Sequence, residues 1–230
     1  MTQQTAVLAG TGLSKSYRLG RQLVPALRGL DVHVASGEFA AIEGPSGSGK
    51  TTLLNVLGLL DSPDSGTYRI DGEDTAPLSE PQRAAIRLGR FGFVFQTFNL
   101  IPVLSARENV EYPMALSGVP RARRRAAARD LLRDVGIEEK ENVRPDLLSG
   151  GQRQRVAIAR ALANSPEIVF ADEPTANLDS RTATEILDLM GRLNEEHGVA
   201  FLFATHDPRV VERARRILVL RDGEIVEDRA

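Results

Sequence analysis

No cysteine occurs among the 230 residues, so disulfides, thiolate nucleophiles and thiolate metal ligands are all excluded. Long apolar runs are missing too. No window reaches the roughly 18 consecutive uncharged apolar residues that a membrane-spanning helix needs. The opening MTQQTAVLAGTG lacks a basic start followed by a long apolar stretch, so no cleaved secretory signal is expected. Neither sign of charge is in excess. Lys plus Arg number 29 against 31 Asp plus Glu, a formal net charge of -2 that offers no electrostatic footprint for a nucleic-acid partner. The basic run 121–129 is interleaved with alanines and reads as the wet face of a helix. With 42% hydrophobic and 26% charged residues, the chain can bury one sizeable core, and a single domain over 1–230 is expected.

Against these absences stands the segment 44–51, GPSGSGKT, which follows the apolar run Phe39-Ala40-Ala41-Ile42. A Gly-x-x-x-x-Gly-Lys-Thr loop entered from a strand and left by a helix (51–60) is a phosphate cradle. Its glycines let backbone N–H groups turn toward one point at a helix start, which makes an anion-binding nest. Lys50 adds a mobile positive charge for the β- and γ-phosphates, and the Thr51 hydroxyl is placed for Mg²⁺. The phosphate-binding set is therefore Gly44, Ser46, Gly47, Ser48, Gly49, Lys50, Thr51 and Thr52. A dinucleotide fingerprint would need Gly-x-Gly-x-x-Gly and has no use for the Lys-Thr pair.

The hydrophobic pattern surrounds this loop with alternating elements. Partial alternation at 7–13 and 27–34 predicts strands, and GTYRIDGE at 66–73 suits a hairpin turning at Asp71-Gly72. After Gln96 the texture becomes helical, with apolar spacings of three and four over 106–118, 121–135 and 152–163. This predicts an inserted helical subdomain at 97–165. Strands return at 168–171, 199–204 and in a hairpin over 216–227, with helices at 180–197 and 208–214. Strands alternating with helices predict an α/β fold with a largely parallel sheet and antiparallel strands at the N-terminal side.

Asp172 closes the 168–171 run, at the end of a parallel strand where open α/β sheets place ligands. A carboxylate there suits Mg²⁺, directly or through water. Glu173 follows at once and is better used to orient and polarise an attacking water. His206 lies just past the next strand, on the same presumed side. It is either a core or capping histidine or a neutral imidazole that bonds the γ-phosphate or the water. LSGGQRQRVAIARAL at 148–162 starts a second helix at Ser149, Gly150 and Gly151. That start is either a plain serine cap or a second anion nest. One γ-phosphate can occupy two such nests only if they face each other, as in a two-subunit sandwich.

This constellation resembles the nucleotide-binding subunits of ATP-binding cassette transporters. LSGGQ at 148–152 matches the family's signature segment, and GPSGSGKT its phosphate loop. Ile168 to Glu173 with Pro174 matches the strand that carries the metal-binding aspartate and the catalytic glutamate. The resemblance implies that Gln96 contacts metal and water and faces a membrane subunit, and that Asp179, in Ala176-Asn177-Leu178-Asp179, crosses a dimer interface. It further implies that Ser149, Gly150, Gly151 and Gln152 bind the other copy's nucleotide, that Tyr17 stacks on adenine, and that His206 acts at the γ-phosphate. Glu173, His206 and Gln96 are then the catalytic set, with Thr51, Gln96 and Asp172 at the metal. The cofactors implied are ATP and Mg²⁺.

The implied partners are a second copy or close relative and an integral membrane permease, at the cytoplasmic face of the membrane. Segments such as FVFQTFNLIPVLSARENVEYPMALSGV look like the branch with lipoprotein-releasing and macrolide-exporting ATPases, whose permeases carry a large extracytoplasmic domain. A cell-division member of similar appearance regulates wall hydrolases without moving a substrate, and that reading is the alternative. A GTPase is disfavoured because the guanine-specifying Asn-Lys-x-Asp segment is absent.

Overall fold

The computed structural model describes residues 6–230. β1 (Ala6–Leu19) and β2 (Gln22–Ala35) form a long antiparallel hairpin. β3 (Phe39–Glu43) enters the glycine-rich loop and α1 (Lys50–Leu57) leaves it. β4 (Ser65–Ile70) and β5 (Glu73–Asp74) meet at Asp71-Gly72, where both residues have positive φ. α2 (Glu80–Arg90) runs directly into β6 (Phe91–Val94). Then α3 (Ala106–Leu116), α4 (Arg121–Asp134) and α5 (Gly150–Leu162) follow with no strand between them. β7 (Ile168–Asp172), α6 (Ser180–His197), β8 (Ala200–Thr205) and α7 (Pro208–Val211) precede the closing hairpin of β9 (Arg216–Arg221) and β10 (Glu224–Arg229).

Two sheets result. One is antiparallel, in the order β2-β1-β4-β5; the other is six-stranded, in the order β10-β9-β3-β8-β7-β6. Every pairing in the larger sheet is parallel except β10 with β9. Its central strands are apolar on both faces, as a covered parallel sheet requires. Successive side chains alternate between two cores. Phe39, Ala41, Val169, Ala171, Phe201 and Phe203 face the helices α3 to α6. Ala40, Ile42, Phe170, Leu202 and Ala204 face the other way, onto Leu53 and Leu57 of α1 and Leu8, Leu13 and Leu27 of the antiparallel sheet. α1 is thus sandwiched between the sheets, which fixes the loop at its start.

Some elements exceed the sequence expectation. β1 and β2 continue to Leu19 and Gln22, beyond the 7–13 and 27–34 alternation, because their outer halves are solvated: Leu19 is 68% and Leu23 63% exposed. α2 is also unanticipated. It has no buried residue, and its short apolar face, with Ile86 and Leu88, is only partly covered. Its local signal is the capping box of Ser79 and Gln82 with Pro81 in the first turn.

The double-sided core makes a direct stability prediction. Phe203 is fully buried and its ring centroid lies 4.8 Å from that of Phe39. Phe203→Ala is expected to cost roughly 3–5 kcal/mol through lost transfer energy and a residual cavity. Urea unfolding reads this directly, and an unchanged midpoint would contradict the packing described.

Candidate active site

Strand order places the chemistry. β8 lies between β3 and β7, with Glu43 opposite Thr205 and Asp172 opposite Ala204. Gly44, Glu173 and His206 each lie one residue beyond a strand end, so three adjacent strands deliver them to one edge of the sheet. β6 ends beside them, Val94 opposite Ala171, and Gln96 follows two residues on. This is the carboxyl edge, where open α/β sheets bind ligands.

The phosphate loop is shaped by close approach on two sides. A Cβ on Gly44 would collide with the Leu220 carbonyl, and one on Gly49 with that of Ala26. Gly49 also holds φ 106° as the N-cap of α1, a conformation reserved for glycine. The β9–β10 turn supports the loop from outside: Gly223 N–H donates to Ser48 O at 3.0 Å, and Arg28 N–H donates to Gly223 O at 2.9 Å. Lys50, only 8% exposed, donates through Nζ to the carbonyls of Gly44 and Pro45 at 2.7 and 2.9 Å. Ser48 Oγ is buried and has no hydrogen-bond partner. Ser46 and Gly47 are exposed at the loop's crest, while Thr52 lies partly buried in the first turn of α1.

Thr51 Oγ1 donates to the Asp172 carboxylate, 3.1 and 3.2 Å from its two oxygens. Burial raises the Asp172 carboxyl above the usual aspartate range, and the Glu173 charge adds to this against the Thr51 hydroxyl and Lys50. The pair is a hard-oxygen donor set that suits Mg²⁺. Among the described residues no group of three or more His, Asp or Glu gathers around it.

Glu173 has a left-handed backbone, φ 46°, held by its N–H donating to Ala204 O at 2.9 Å. Such a conformation costs on the order of 1–3 kcal/mol for a non-glycine residue and recurs at functional sites. Its Oε2 accepts from Thr205 Oγ1 at 3.1 Å, and its Oε1 lies 2.6 Å from His206 Nδ1. In the neutral imidazole with its proton on Nδ1, that nitrogen donates to Glu173 Oε1 and Nε2 is left as an acceptor, on a side chain that is 67% exposed.

Sequence reasoning passed over the groups behind His206. Thr205 Oγ1 also accepts from Asp207 N–H at 2.9 Å, and Asp207 Oδ2 accepts from Thr175 Oγ1 at 2.7 Å. Gln154, fully buried in α5, donates to Pro174 O at 2.7 Å. The legible signal was the Asp207-Pro208 pair, an N-cap and first-turn proline that start α7.

The remaining predicted residues divide into two places. Tyr17 projects from β1 toward α1, with its hydroxyl donating to Asp61 at 2.8 Å. Ser149, Gly150, Gly151 and Gln152 start α5, where Ser149 and Gln152 form a reciprocal capping box. This start packs on the 176–182 segment: a Cβ on Gly151 would lie 2.5 Å from the Thr182 methyl, and Asp179 caps α6 by accepting from Thr182 N–H at 3.0 Å. Among the described residues no hydrogen bond joins 149–152 to the phosphate loop. Gln96 has an exposed side chain, and its carbonyl accepts from Asn177 Nδ2 at 2.9 Å.

A groove of about 620 Å³ lies just past Gln96, lined by apolar groups that include Phe93, Phe95, Tyr112 and Leu116, with Arg160 at its edge. Arg160 donates to the carbonyls of Phe98 and Asn99, both in left-handed conformations. Arg153, two turns earlier on the same face of α5, lies over the Phe98 ring at 5.1 Å.

The clamp behind His206 sets an acid dependence. Arg209 and the Thr175 hydroxyl hold the Asp207 carboxyl down to about 2, with Arg209 the larger cause. A depressed carboxylate stabilises the fold above its unfolded pKa of about 3.9, and the contribution is lost as pH falls toward 2. Asp207→Asn is therefore expected to be less stable at neutral pH yet to lose less stability between about pH 4 and 2. Urea midpoints across that window test this; parallel curves for the two proteins would contradict it.

Similarity to known proteins agrees with this geometry. The family model described as ABC transporter matches residues 27–176. The chain is 54% identical over 215 residues to the macrolide export ATP-binding/permease protein MacB of Syntrophobacter fumaroxidans, covering 93% of this chain and 30% of that protein. It therefore spans about a third of the length of such relatives. It is 47% identical over 222 residues to the uncharacterized ABC transporter ATP-binding protein YvrO of Bacillus subtilis, covering 96% of each. Among solved structures, the dimeric post-hydrolysis state of the ATP-binding cassette MJ0796 bound to ADP and Pi superimposes with a TM-score of 0.88 at 43% identity. The match covers 96% of this chain and 97% of that one. The chain belongs to the ABC transporter family, as one of its ATP-binding cassette ATPases.

Proposed function

We propose that this cassette hydrolyses ATP at a site completed by a second copy and drives a membrane permease of macrolide- or lipoprotein-exporter type. The observation that carries the hydrolytic reading is the position of Glu173, held by Thr205 and His206 beside the Thr51–Asp172 pair. The phosphate loop and Lys50 bind the β- and γ-phosphates, and Tyr17 forms the platform for adenine. Thr51 and Asp172, with Gln96 completing the set, would hold Mg²⁺, which would supply positive charge to offset that of the triphosphate. Glu173 accepts a proton as the water oxygen bonds to the γ-phosphorus and the bond to the ADP oxygen breaks. His206, oriented by Glu173, offers Nε2 to the water or to a protonated phosphate oxygen.

Two helix starts, at 47–51 and 149–152, offer N–H groups to an anion, yet only the first joins the strand-edge cluster. A head-to-tail pair of chains lets one γ-phosphate sit between one copy's Lys50 loop and the other's Ser149. Asp179, at the start of α6 beside Ser149, would lie at that interface. The relatives fused to a permease, and a neighbour described as dimeric, support this reading.

We further take 97–165 as a helical subdomain that carries the permease contact. The groove beside Gln96 suits an amphipathic helix from that partner. No helix of the described residues is long and apolar enough to cross a membrane. Attachment at the cytoplasmic face would then come through the permease, which in this branch bears a large extracytoplasmic domain.

Glu173→Gln keeps the cradle and removes the proton acceptor. Phosphate release is expected to fall by roughly 10²- to 10⁴-fold while ATP affinity is retained. Steady-state phosphate release beside ATP titration tests this, and unchanged turnover would overturn the assignment.

A further inference from the structure

One polar cluster is not used by the hydrolytic chemistry. Asp61 lies just past the C-terminal end of α1, the helix whose first turn adjoins the phosphate loop. Its Oδ2 accepts from the Tyr17 hydroxyl at 2.8 Å; its Oδ1 accepts from Lys15 Nζ and from Ser62 N–H, each at 2.7 Å. Lys15 donates also to Ser62 O at 2.7 Å, and its ammonium lies 5.5 Å from the Tyr17 ring centroid. The Lys15 side chain is only 12% exposed, whereas Tyr17 is 39% exposed.

The arrangement is asymmetric in a useful way. Tyr17 sits on a solvated stretch of β1, where an unrestrained ring would turn about two soft torsions. A charge-assisted bond from its hydroxyl to a carboxylate that is itself fixed by an ammonium and a backbone N–H removes that freedom. Burial and the Asp61 bond both hold the phenol above the usual tyrosine range, and the Lys15 and Tyr17 bonds act to lower the Asp61 carboxyl. The hydroxyl edge is clamped while part of the ring stays open to solvent, beside Thr52.

We infer that Asp61, braced by Lys15, is a positioning residue for base recognition: it pins the Tyr17 ring in the orientation that receives adenine. This rests on the reading of Tyr17 as the adenine platform. The restraint means that ring ordering is completed before ATP arrives, so its removal weakens binding through the base alone. Immobilising one such side chain on binding corresponds to roughly a 2- to 10-fold loss of affinity.

The test titrates the full chain with ATP and, separately, with inorganic tripolyphosphate, each with Mg²⁺. Asp61→Ala and Tyr17→Phe are each expected to weaken ATP by that factor and to leave tripolyphosphate unchanged. The double variant is expected to be no weaker than either single one, and Asp61→Asn to recover part of the loss. Tyr17→Phe keeps the Lys15–Asp61 pair, so it carries the test if Asp61→Ala fails to fold. Equal weakening of ATP and tripolyphosphate, or full ATP affinity in both single variants, overturns the inference. Tyr17→Ala separates the two readings: if it leaves ATP affinity intact, the adenine platform itself is wrong; if it alone weakens ATP, only the role of Asp61 fails.

Discussion

The hydrogen bond from Glu173 N–H to the Ala204 carbonyl organises the site. It crosses from the end of β7 to β8 and holds Glu173 in a left-handed conformation. Asp172, still in the strand, bonds Thr51 in the first turn of α1. Glu173, one residue later, turns back over β8 to meet Thr205 and His206. Two adjacent acids are thereby sent to different tasks, one toward the phosphate loop and one toward the histidine. Had the chain continued as regular strand, both could not have reached the same edge on these terms. A one-residue slip of β7 against β8 would send the side chains that fill one core into the other, so the close-packed shapes of the two cores hold the register that positions this bond.

A second constraint links the strand edge to the rest of the molecule through α5. This helix spans Gly150–Leu162, about 20 Å at 1.5 Å per residue. Ser149 caps its start, Gln154 is tied to Pro174 just beyond Glu173, and Arg160 near its end grips the Phe98 and Asn99 carbonyls beside the apolar groove. Gln96, in turn, is tied to Asn177 in the loop that precedes Asp179. α5 and the Gln96–Asn177 bond therefore join the groove both to the Ser149 helix start and to the loop after Glu173.

The parts of this architecture that a sequence can display are those with a period or a punctuation. The loop at 44–51, the acids after the 168–171 run, α6 and the closing hairpin all carry such marks. α2 shows only a short apolar stretch among polar residues, with Ile86 and Leu88 partly covered, and the outer halves of β1 and β2 are solvated. Tertiary bonds were invisible for a different reason. Thr205, Thr175 and Gln154 are ordinary polar residues in sequence; burial between β7, β8 and α5 gives them their partners. Asp61 belongs to the same class, since its value depends on Tyr17, 44 residues away. The Ser149 helix start was legible as a cap or as an anion site, and the capping box satisfies the first description without excluding the second.

In the proposed function a complete hydrolytic site needs the Glu173 edge of one copy and the Ser149 helix start of another. Mixing two defective chains tests it: one carries Glu173→Gln with Ser149 intact, the other Ser149→Arg with Glu173 intact. Neither is expected to turn over ATP alone. A mixed pair contains one site with both groups intact, so phosphate release is expected to appear on mixing. A mixture no more active than the sum of its separate components would contradict the shared site.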